Sequence, residues 1–335
     1  MGPLLDVRDL VQSFDLNPDF LSKITFDKGR PTIKERIVKA VNGINFSVEK
    51  GKVFSIVGES GCGKSTAART VIKLIEPKSG SITYDGRDIT GLSREEMLPL
   101  RKRMQMIFQD PYASLNPRQR VLDILTEPML FHRTSSSLTE AREKAMRLLK
   151  RVGIRAEQGS RYPHQFSGGQ RQRIGIARAL AVEPELIIAD EPVSALDVSI
   201  QAQILNLLMD LKDELSLSYL FIAHDLSVVK HISDEIAVMY LGHIVEKGDK
   251  QQIFSNPSHP YTRALFSAIP RISGKNSDTE DLPKGEIPSA IELPSGCPFH
   301  GRCKEAMPLC SRLRPESQEI EPGHIVSCHL IKSKN

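Results

Sequence analysis

The sequence has no tryptophan, few other aromatic residues and no long apolar run. Aromatic side chains make up 5% of the 335 residues, which argues against an aromatic belt at a membrane interface. Because no run of about 18 apolar residues occurs, the chain is not expected to span a membrane by itself. The net charge of +4 is small and no long basic stretch is present, so the composition does not indicate nucleic-acid binding.

Targeting signals and cysteines are scarce as well. The N-terminal stretch MGPLLDVRDL lacks the charged start and apolar core of a signal peptide. Asp6 stands where a myristoylation motif needs Ser or Thr. These features favour a cytosolic protein. The chain has five cysteines, and four of them lie in the last 39 residues, so the C-terminal region differs in chemistry from the rest.

What is present is an alternation of strand and helix patterns. Short apolar runs such as KVFSIVGE, ELIIAD and SYLFIAH are typical of buried parallel strands. The stretches QRQRIGIARALA and SIQAQILNLLMDLKDEL have the apolar spacing of helices. This alternation predicts an α/β fold with a mainly parallel sheet. We further expect an insertion at 15–37, a mostly helical segment at 92–165, and an irregular tail after a hinge near residue 255.

The stretch GESGCGKST, Gly58 to Thr66, follows an apolar strand and opens a helix. It matches the phosphate-loop pattern G-x-x-x-x-G-K-[ST] in the context that this motif requires. Its glycines let several backbone N–H groups face one anion, and the helix N-terminus adds partial positive charge. Lys64 is expected to reach the nucleotide's phosphates and Ser65 to offer a hydroxyl to Mg²⁺. The predicted nucleotide-binding residues are Gly58, Glu59, Ser60, Gly61, Cys62, Gly63, Lys64, Ser65 and Thr66.

A pair of acidic residues ends the strand ELIIAD. Asp190 and Glu191 stand at its carboxyl end, where open α/β sheets bind ligands. Asp190 suits a direct or indirect role toward Mg²⁺, and Glu191 can polarise an attacking water. Two adjacent acids can also belong to a solvated turn, but the phosphate loop elsewhere in the chain favours the catalytic interpretation.

A second helix start of the anion-binding kind lies in FSGGQRQR, residues 166–173. Ser167, Gly168 and Gly169 precede an apolar-periodic helix. The motif resembles the serine-glycine-glycine-glutamine signature of ATP-binding-cassette (ABC) ATPases. This resemblance implies a P-loop NTPase domain with a helical subdomain. It also implies a head-to-tail dimer, in which the signature of one subunit closes over the phosphate loop of its partner and two ATP molecules are held between them.

Further motifs of the same family occur in order. Gln109 in MIFQDP matches the Q-loop glutamine, SALD at 194–197 matches the D-loop, and His224 in IAHD matches the switch histidine. The resemblance implies catalysis by Glu191, His224 and Gln109. It implies Mg²⁺ binding by Ser65, Gln109 and Asp190, and action in trans by Ser167, Gly168, Gly169, Gln170 and Asp197. Phe14 is the candidate for stacking on adenine, although Phe20 and Phe26 in the insertion lie nearby in sequence.

Longer stretches indicate a branch of this family. IFQDPYASLNPR, DEPVSALDVSIQAQILNLL and NPSHPYTRAL closely resemble the ATP-binding subunit of oligopeptide and dipeptide ABC importers, most of all the F-type subunit. The resemblance implies a nucleotide-binding domain at 1–255, with a helical subdomain at about 110–180, and a C-terminal extension at 256–335. It implies ATP-driven peptide import at the cytoplasmic face of the cell membrane. The expected partners are two permeases, a sister ATPase in a heterodimer and an extracytoplasmic peptide-binding protein.

Two alternatives to peptide import stay open at this point. A related importer could carry another substrate, such as nickel, because nothing in this chain is expected to contact the substrate. A soluble ABC ATPase of translation or DNA repair is the second alternative. Such proteins usually carry two cassettes or a long coiled-coil insertion, and this chain has neither.

The four C-terminal cysteines are Cys297, Cys303, Cys310 and Cys328, with the spacing C-x5-C-x6-C-x17-C. Disulfides are not expected in an ATPase that faces cytosolic ATP, because cytosolic thiols stay reduced. Zinc sites usually contain closer cysteine pairs, and widely spaced loop cysteines also suit an iron–sulfur cluster. Some of the importer subunits that the chain resembles carry a 4Fe-4S cluster on such cysteines. We therefore expect a small, irregular, metal-binding extension with a structural cluster, with zinc or free thiols as alternatives.

Overall fold

The computed structural model describes residues 2–17, 24–27, 30–33, 36–267 and 288–331. Its strands are β1 (Leu5–Asp15), β2 (Ile24–Asp27), β3 (Arg30–Ile33), β4 (Ile37–Val48), β5 (Val53–Val57), β6 (Ser79–Tyr84), β7 (Arg87–Asp88), β8 (Met104–Ile107), β9 (Leu186–Asp190), β10 (Ser218–Ala223), β11 (Glu235–Tyr240), β12 (His243–Asp249), β13 (Gln318–Glu321) and β14 (His324–Val326). Its helices are α1 (Lys64–Val71), α2 (Arg94–Arg103), α3 (Val121–Phe131), α4 (Leu138–Arg151), α5 (Gly168–Leu180), α6 (Val198–Leu215), α7 (Leu226–Ile232), α8 (Lys250–Ser255) and α9 (Pro260–Ser267).

The main sheet has eight strands in the order β13-β14-β12-β11-β5-β10-β9-β8. The five strands from β11 to β8 are parallel to one another, as the alternating strand and helix patterns predict. A separate antiparallel sheet has the order β4-β1-β6-β7. Strands β5, β9 and β10 are buried along their whole length, because helices or the second sheet cover both faces.

Two hydrophobic cores lie on opposite faces of the main sheet. Because successive strand residues point to opposite faces, Phe54 and Ile56 pack with α1 and the four-stranded sheet. Val53 and Val57 pack on the other face with α5, α6 and the helical segment. Among the described residues, no helix combines the length and the apolar character needed to cross a lipid bilayer.

Three regions differ from the sequence predictions. The insertion at 15–37 contains the hairpin β2–β3. The segment at 92–165 is largely helical, as predicted, but the short strand β8 interrupts it and forms the edge of the main sheet. The tail, predicted to be irregular, contributes β13 and β14 to the same sheet. Each of these five strands, β2, β3, β8, β13 and β14, has 4 residues or fewer. Such short strands do not show a reliable alternation of apolar and polar residues.

The C-terminal strands are held by a buried carboxylate. Glu246 of β12 is 1% exposed and accepts hydrogen bonds from Ser258 N (2.8 Å), His259 N (2.9 Å) and His324 Nε2 (2.8 Å). Burial raises the pKa of Glu246, but these hydrogen bonds more than offset it and hold the pKa below its ordinary value. Since His324 belongs to β14, this carboxylate ties the tail to the main sheet.

The loop between β5 and α1 is packed too tightly for side chains at two of its glycines. A Cβ added to Gly58 would lie 2.1 Å from the carbonyl oxygen of Met239, and one added to Gly63 would lie 2.0 Å from that of Ala40. Gly63 also has a φ of +106°, a conformation that side chains disfavour. Neighbouring backbone on β4 and β11 therefore fixes the shape of the phosphate loop.

We expect Gly63→Ala to destabilise the protein by at least about 3 kcal/mol, because the methyl group meets backbone that cannot move aside. Gly43→Ala is the matched control: Gly43 also has a positive φ of +72°, but an added Cβ has no atom within 4 Å. The control is expected to cost only about 1 kcal/mol of backbone strain. Denaturant unfolding of both variants measures the difference, and equal losses would contradict this packing argument.

Candidate functional site

Four neighbouring strands bring the sequence motifs to one edge of the main sheet. The phosphate loop, residues 58–66, follows β5, and His224 follows β10. Asp190 ends β9 and Glu191 comes next, while Gln109 lies just after β8. Because these strands are adjacent and parallel, their carboxyl ends lie side by side, where α/β sheets bind ligands.

Lys64 lies inside the curl of the phosphate loop. Its Nζ donates to the carbonyl oxygens of Gly58 (2.9 Å) and Glu59 (3.0 Å) and lies 3.9 Å from Glu191 Oε1. The lysine is 4% exposed, so its charge depends on these partners. The ammonium group is therefore held at the place where the motif needs a cation for phosphate.

Ser65 and Asp190 form a direct pair. Ser65 Oγ donates to Asp190 Oδ1 at 2.6 Å, and Asp190 Oδ2 lies 3.5 Å from the Arg69 guanidinium without a hydrogen-bond partner. Burial raises the pKa of Asp190, while Ser65 and Arg69 act in the opposite direction. A hydroxyl beside a carboxylate with a free buried acceptor is the oxygen chemistry that Mg²⁺ prefers, so these residues fit the predicted ion.

Glu191 is the centre of a second polar group. Its Oε2 accepts from Gln109 Nε2 at 3.0 Å and lies 3.1 Å from His224 Nδ1. Glu191 has a φ of +45°, a left-handed conformation that costs about 1 kcal/mol or more for a residue with a side chain. The structure thus brings together three residues for which catalysis was predicted, and it stores backbone strain at the one between the other two.

The signature residues at 167–170 lie next to the D-loop at 194–197. Ser167 caps α5, and its Oγ accepts from Gln170 N at 3.4 Å. A Cβ on Gly169 would lie 2.6 Å from Ile200 Cγ2, so α5 and α6 are in close contact there. Ser167, Gly168 and Asp197 are exposed. Within the part of the chain that the structure describes, no hydrogen bond joins 167–170 to the phosphate loop.

The adenine contact stays a prediction. Phe14 lies near the end of β1, opposite Val38 of β4, and both side chains are partly buried against the core that includes α1. Phe20 and the side chain of Phe26 lie outside the described residues.

One contact at the phosphate loop has no signal in the sequence motifs. Arg302, in a short 3₁₀ turn (His300–Arg302), forms a bidentate ion pair with Glu59: Nη1 to Oε2 at 2.7 Å and Nη2 to Oε1 at 3.0 Å. The backbone N–H of Glu59 donates to Tyr261 Oη at 3.0 Å. The C-terminal region therefore contacts the loop through two residues, Tyr261 and Arg302. The two residues of the ion pair are 243 positions apart in the sequence.

The four C-terminal cysteines lie in one region. None of the five cysteines forms a disulfide, and Cys297, Cys310 and Cys328 are each 7% exposed. Burial raises the pKa of Cys297 to about 11, with smaller contributions from the charges of Cys328, Cys310 and Cys303. Burial likewise raises the pKa of Cys303 and Cys328, and these two cysteines also interact with each other and with Cys310.

A backbone N–H group donates to one of the sulfur atoms: Cys310 Sγ accepts from Met307 N at 3.4 Å. Nearby backbone N–H groups of Phe299, Glu305 and Leu330 act to lower the pKa of Cys297, Cys303 and Cys328, against the larger effect of burial. However, among the described residues no three His, Cys, Asp or Glu side chains are arranged to hold a metal ion. The predicted metal site in the tail is therefore not supported.

Comparison with known proteins agrees with this architecture. Residues 41–194 match the family model described as ABC transporter, and residues 245–310 match the one described as oligopeptide/dipeptide transporter, C-terminal region. The dimeric structure of a post-hydrolysis state of the ATP-binding cassette MJ0796, bound to ADP and Pi, is similar with a TM-score of 0.63 and 27% identity, over 73% of this chain and 98% of that one. The predicted P-loop ABC ATPase fold is thus confirmed.

Two relatives are similar over nearly the whole chain. The oligopeptide transport ATP-binding protein AppF of Bacillus subtilis is 50% identical over 330 residues, covering 98% of this chain and 97% of the relative. The dipeptide transport ATP-binding protein DppF of Escherichia coli is 48% identical over 325 residues, covering 96% of this chain and 97% of the relative. The chain therefore belongs to the ATP-binding proteins of the oligopeptide and dipeptide ABC transporters.

Proposed function

We propose that this chain is the ATP-hydrolysing subunit that powers import of oligopeptides or dipeptides through a membrane ABC transporter. The observation that carries the proposal is the meeting of Lys64, the Ser65–Asp190 pair and the Gln109–Glu191–His224 group at one edge of the sheet. The match of residues 245–310 to the C-terminal region of peptide transporters supports the substrate class. We assign the nucleotide-binding domain to residues 1–255 and the extension to 256–335.

In this proposal, the phosphate loop binds the nucleotide and Lys64 changes partners. The loop's N–H groups and the N-terminus of α1 attract the phosphates, and Lys64 turns from the carbonyls of Gly58 and Glu59 toward them. Ser65, Gln109 and Asp190 would hold Mg²⁺, which would supply positive charge to neutralise the phosphates. Glu191 accepts a proton from the attacking water, and His224 and Gln109 hold its carboxylate in place through their hydrogen bonds.

The signature is assigned to a partner's nucleotide. Ser167 and Gly168 at the N-terminus of α5 are exposed together with Asp197, and they lie on a surface separate from the phosphate loop of the same chain. This helix start also includes Gly169 and Gln170. A sister ATPase subunit that presents its own phosphate loop would bring its ATP to these residues. Loss of the γ-phosphate removes an anion that both subunits bind, so the dimer reopens after hydrolysis.

Glu191→Gln is expected to bind ATP with nearly wild-type affinity and to lower turnover at least about 100-fold, because the amide cannot accept the proton. Nucleotide binding and phosphate release, measured on the same preparation, check the two parts separately. Lys64→Ala is the companion variant, which is expected to lose binding. Unchanged hydrolysis in Glu191→Gln would contradict the assigned role.

A groove beside the helical segment is the proposed docking site for the permeases. Its volume is about 510 Å³, and its lining includes Leu74, Phe108 and Phe131. Phe131, at the end of α3, is 66% exposed, so it offers an apolar surface at the rim of the groove. We propose that a cytoplasmic helix of one permease binds this groove, and that a cytoplasmic helix of the second permease binds the corresponding groove of the sister ATPase. The chain would then lie at the cytoplasmic face of the membrane, in a complex with an extracytoplasmic peptide-binding protein.

Phe131→Ser is expected to weaken the association with the permeases while leaving ATP binding by the ATPase within about twofold, because the lost contact is apolar and lies outside the nucleotide site. Co-purification from membranes measures the association. Leu138→Ser is the control, since Leu138 is 45% exposed on α4 and does not line the groove. Full association of the Phe131 variant would exclude this docking site.

We further propose that the four C-terminal cysteines bind a 4Fe-4S cluster rather than one zinc ion. The thiols of Cys297, Cys303, Cys310 and Cys328 lie close enough together to influence one another electrostatically, and Cys310 Sγ accepts the backbone N–H of Met307. Hydrogen bonds to the sulfurs are a feature of iron–sulfur sites. A cluster spreads its ligands over several iron atoms, so it tolerates thiols that are too far apart for a single ion. The cluster's role here would be structural.

Anaerobically purified protein is expected to be brown, with broad absorption near about 400 nm and about four irons per chain. Cys303→Ser should lower the iron content, and Cys62→Ser should not, because Cys62 lies in the phosphate loop. Iron and zinc analysis of the three proteins decides the question. A colourless wild-type protein, or one with a single zinc ion, would rule out the cluster.

A further inference from the structure

Arg302, in the C-terminal extension, places its charged group against the phosphate loop. Its side chain is 9% exposed and that of Glu59 is 23% exposed, and the two are joined by a pair of parallel hydrogen bonds. Such a bidentate arrangement fixes the orientation of both groups. The pair is thus better shielded from water than most ion pairs at a protein surface.

Aromatic side chains hold this pair in place. Arg302 lies over the Tyr240 ring, with 5.9 Å between the guanidinium carbon and the ring centroid. Tyr240 packs against Tyr261 and Phe299 at centroid distances of 4.7 Å and 5.3 Å. Since Tyr261 also accepts the backbone N–H of Glu59, one aromatic cluster positions both the arginine and the loop residue.

The negative charge of Glu59 makes this ion pair important for nucleotide binding. Its carbonyl oxygen accepts from Lys64, so Glu59 lies directly beside the cation that serves the phosphates. An unpaired carboxylate at this place would repel the polyanionic nucleotide and compete for Lys64. Arg302, whose guanidinium stays charged at any physiological pH, neutralises it.

We propose that Arg302 is a positioning residue for ATP binding, which neutralises Glu59 and holds the phosphate loop in its binding conformation. The inference rests on the proposed ATPase function and extends it, because it makes the C-terminal extension part of the nucleotide site. The inference also predicts whether each substitution weakens or restores ATP binding. Removing the arginine weakens ATP binding, and removing the glutamate charge as well restores it.

The test is the binding of a non-hydrolysable ATP analogue with Mg²⁺ to the purified full-length protein. Arg302→Gln is expected to weaken binding about tenfold, because a charged partner is left unpaired. The double variant Glu59→Gln/Arg302→Gln should return to within about twofold of wild type, and Glu59→Gln alone should bind at least as tightly as wild type. A mere structural brace would instead make every one of these variants weaker.

Arg263→Gln is the matched control. Arg263 forms a similar ion pair in the same region, with Glu305 at 2.6 Å, but both side chains are about half exposed, so its loss should leave binding unchanged. In the transporter assembled with its partners, Arg302→Gln should raise the KM for ATP and leave kcat within about twofold. Arg302→Lys, which keeps the charge and loses the bidentate geometry, should fall between wild type and Arg302→Gln.

The outcomes separate the inference from the function on which it rests. Failure of the wild-type protein to bind the analogue would refute the proposed function. Wild-type binding together with unchanged affinity in Arg302→Gln would refute the role of Arg302. A double variant that binds as weakly as Arg302→Gln would also refute it. A Glu59→Gln variant that binds about tenfold more weakly than wild type would refute it as well, and this result does not require the arginine variants to fold.

Discussion

Parallel pairing of β5, β10, β9 and β8 is the constraint on which the nucleotide site depends. Neighbouring strands lie only about 4.8 Å apart, so groups at their carboxyl ends come within hydrogen-bonding reach of each other. The register sets this distance: Ala223 pairs with Val57, and Ile222 pairs with Asp190. A shift by one residue would also exchange the residues that face the two cores. The packing that stabilises the sheet and the geometry that aligns the polar groups are therefore the same property of the fold.

The polar groups at this edge of the sheet already form hydrogen bonds with one another in the absence of nucleotide. Lys64 donates to carbonyl oxygens of the phosphate loop, and Ser65 donates to Asp190. Glu191 contacts both Gln109 and His224 through one carboxylate oxygen. This arrangement avoids leaving buried charges without partners. It also means that nucleotide binding exchanges one set of hydrogen bonds for another. Asp190 Oδ2 is buried without a hydrogen-bond partner, and it lies 3.5 Å from the Arg69 guanidinium.

How much could be predicted from the sequence depended on how local each feature is. The phosphate loop is one continuous motif whose strand, glycines and helix lie together in the chain, so its position followed directly. The meeting of Asp190 with Ser65 followed from the rule that parallel strands end at one edge. The pairing of Arg302 with Glu59 could not be predicted, because their 243-residue separation carries no spacing pattern. The tail strands were missed because 3 or 4 residues are too few to show alternation. The structure did not support the metal site predicted from the spacing of the cysteines.

The sequence separation of the Arg302–Glu59 pair has a consequence for the order of synthesis. A ribosome that adds roughly 5–20 residues per second makes Arg302 about 12–50 s after Glu59, long after the region at 41–194 that matches the ABC transporter family. A chain that ends between His224 and Arg302 therefore carries every nucleotide motif, while the carboxylate of Glu59 in its phosphate loop lacks the Arg302 partner. The last part of the protein to be translated supplies the cation opposite Glu59, so loss of the C-terminus by a premature stop or by proteolysis alters the nucleotide site itself.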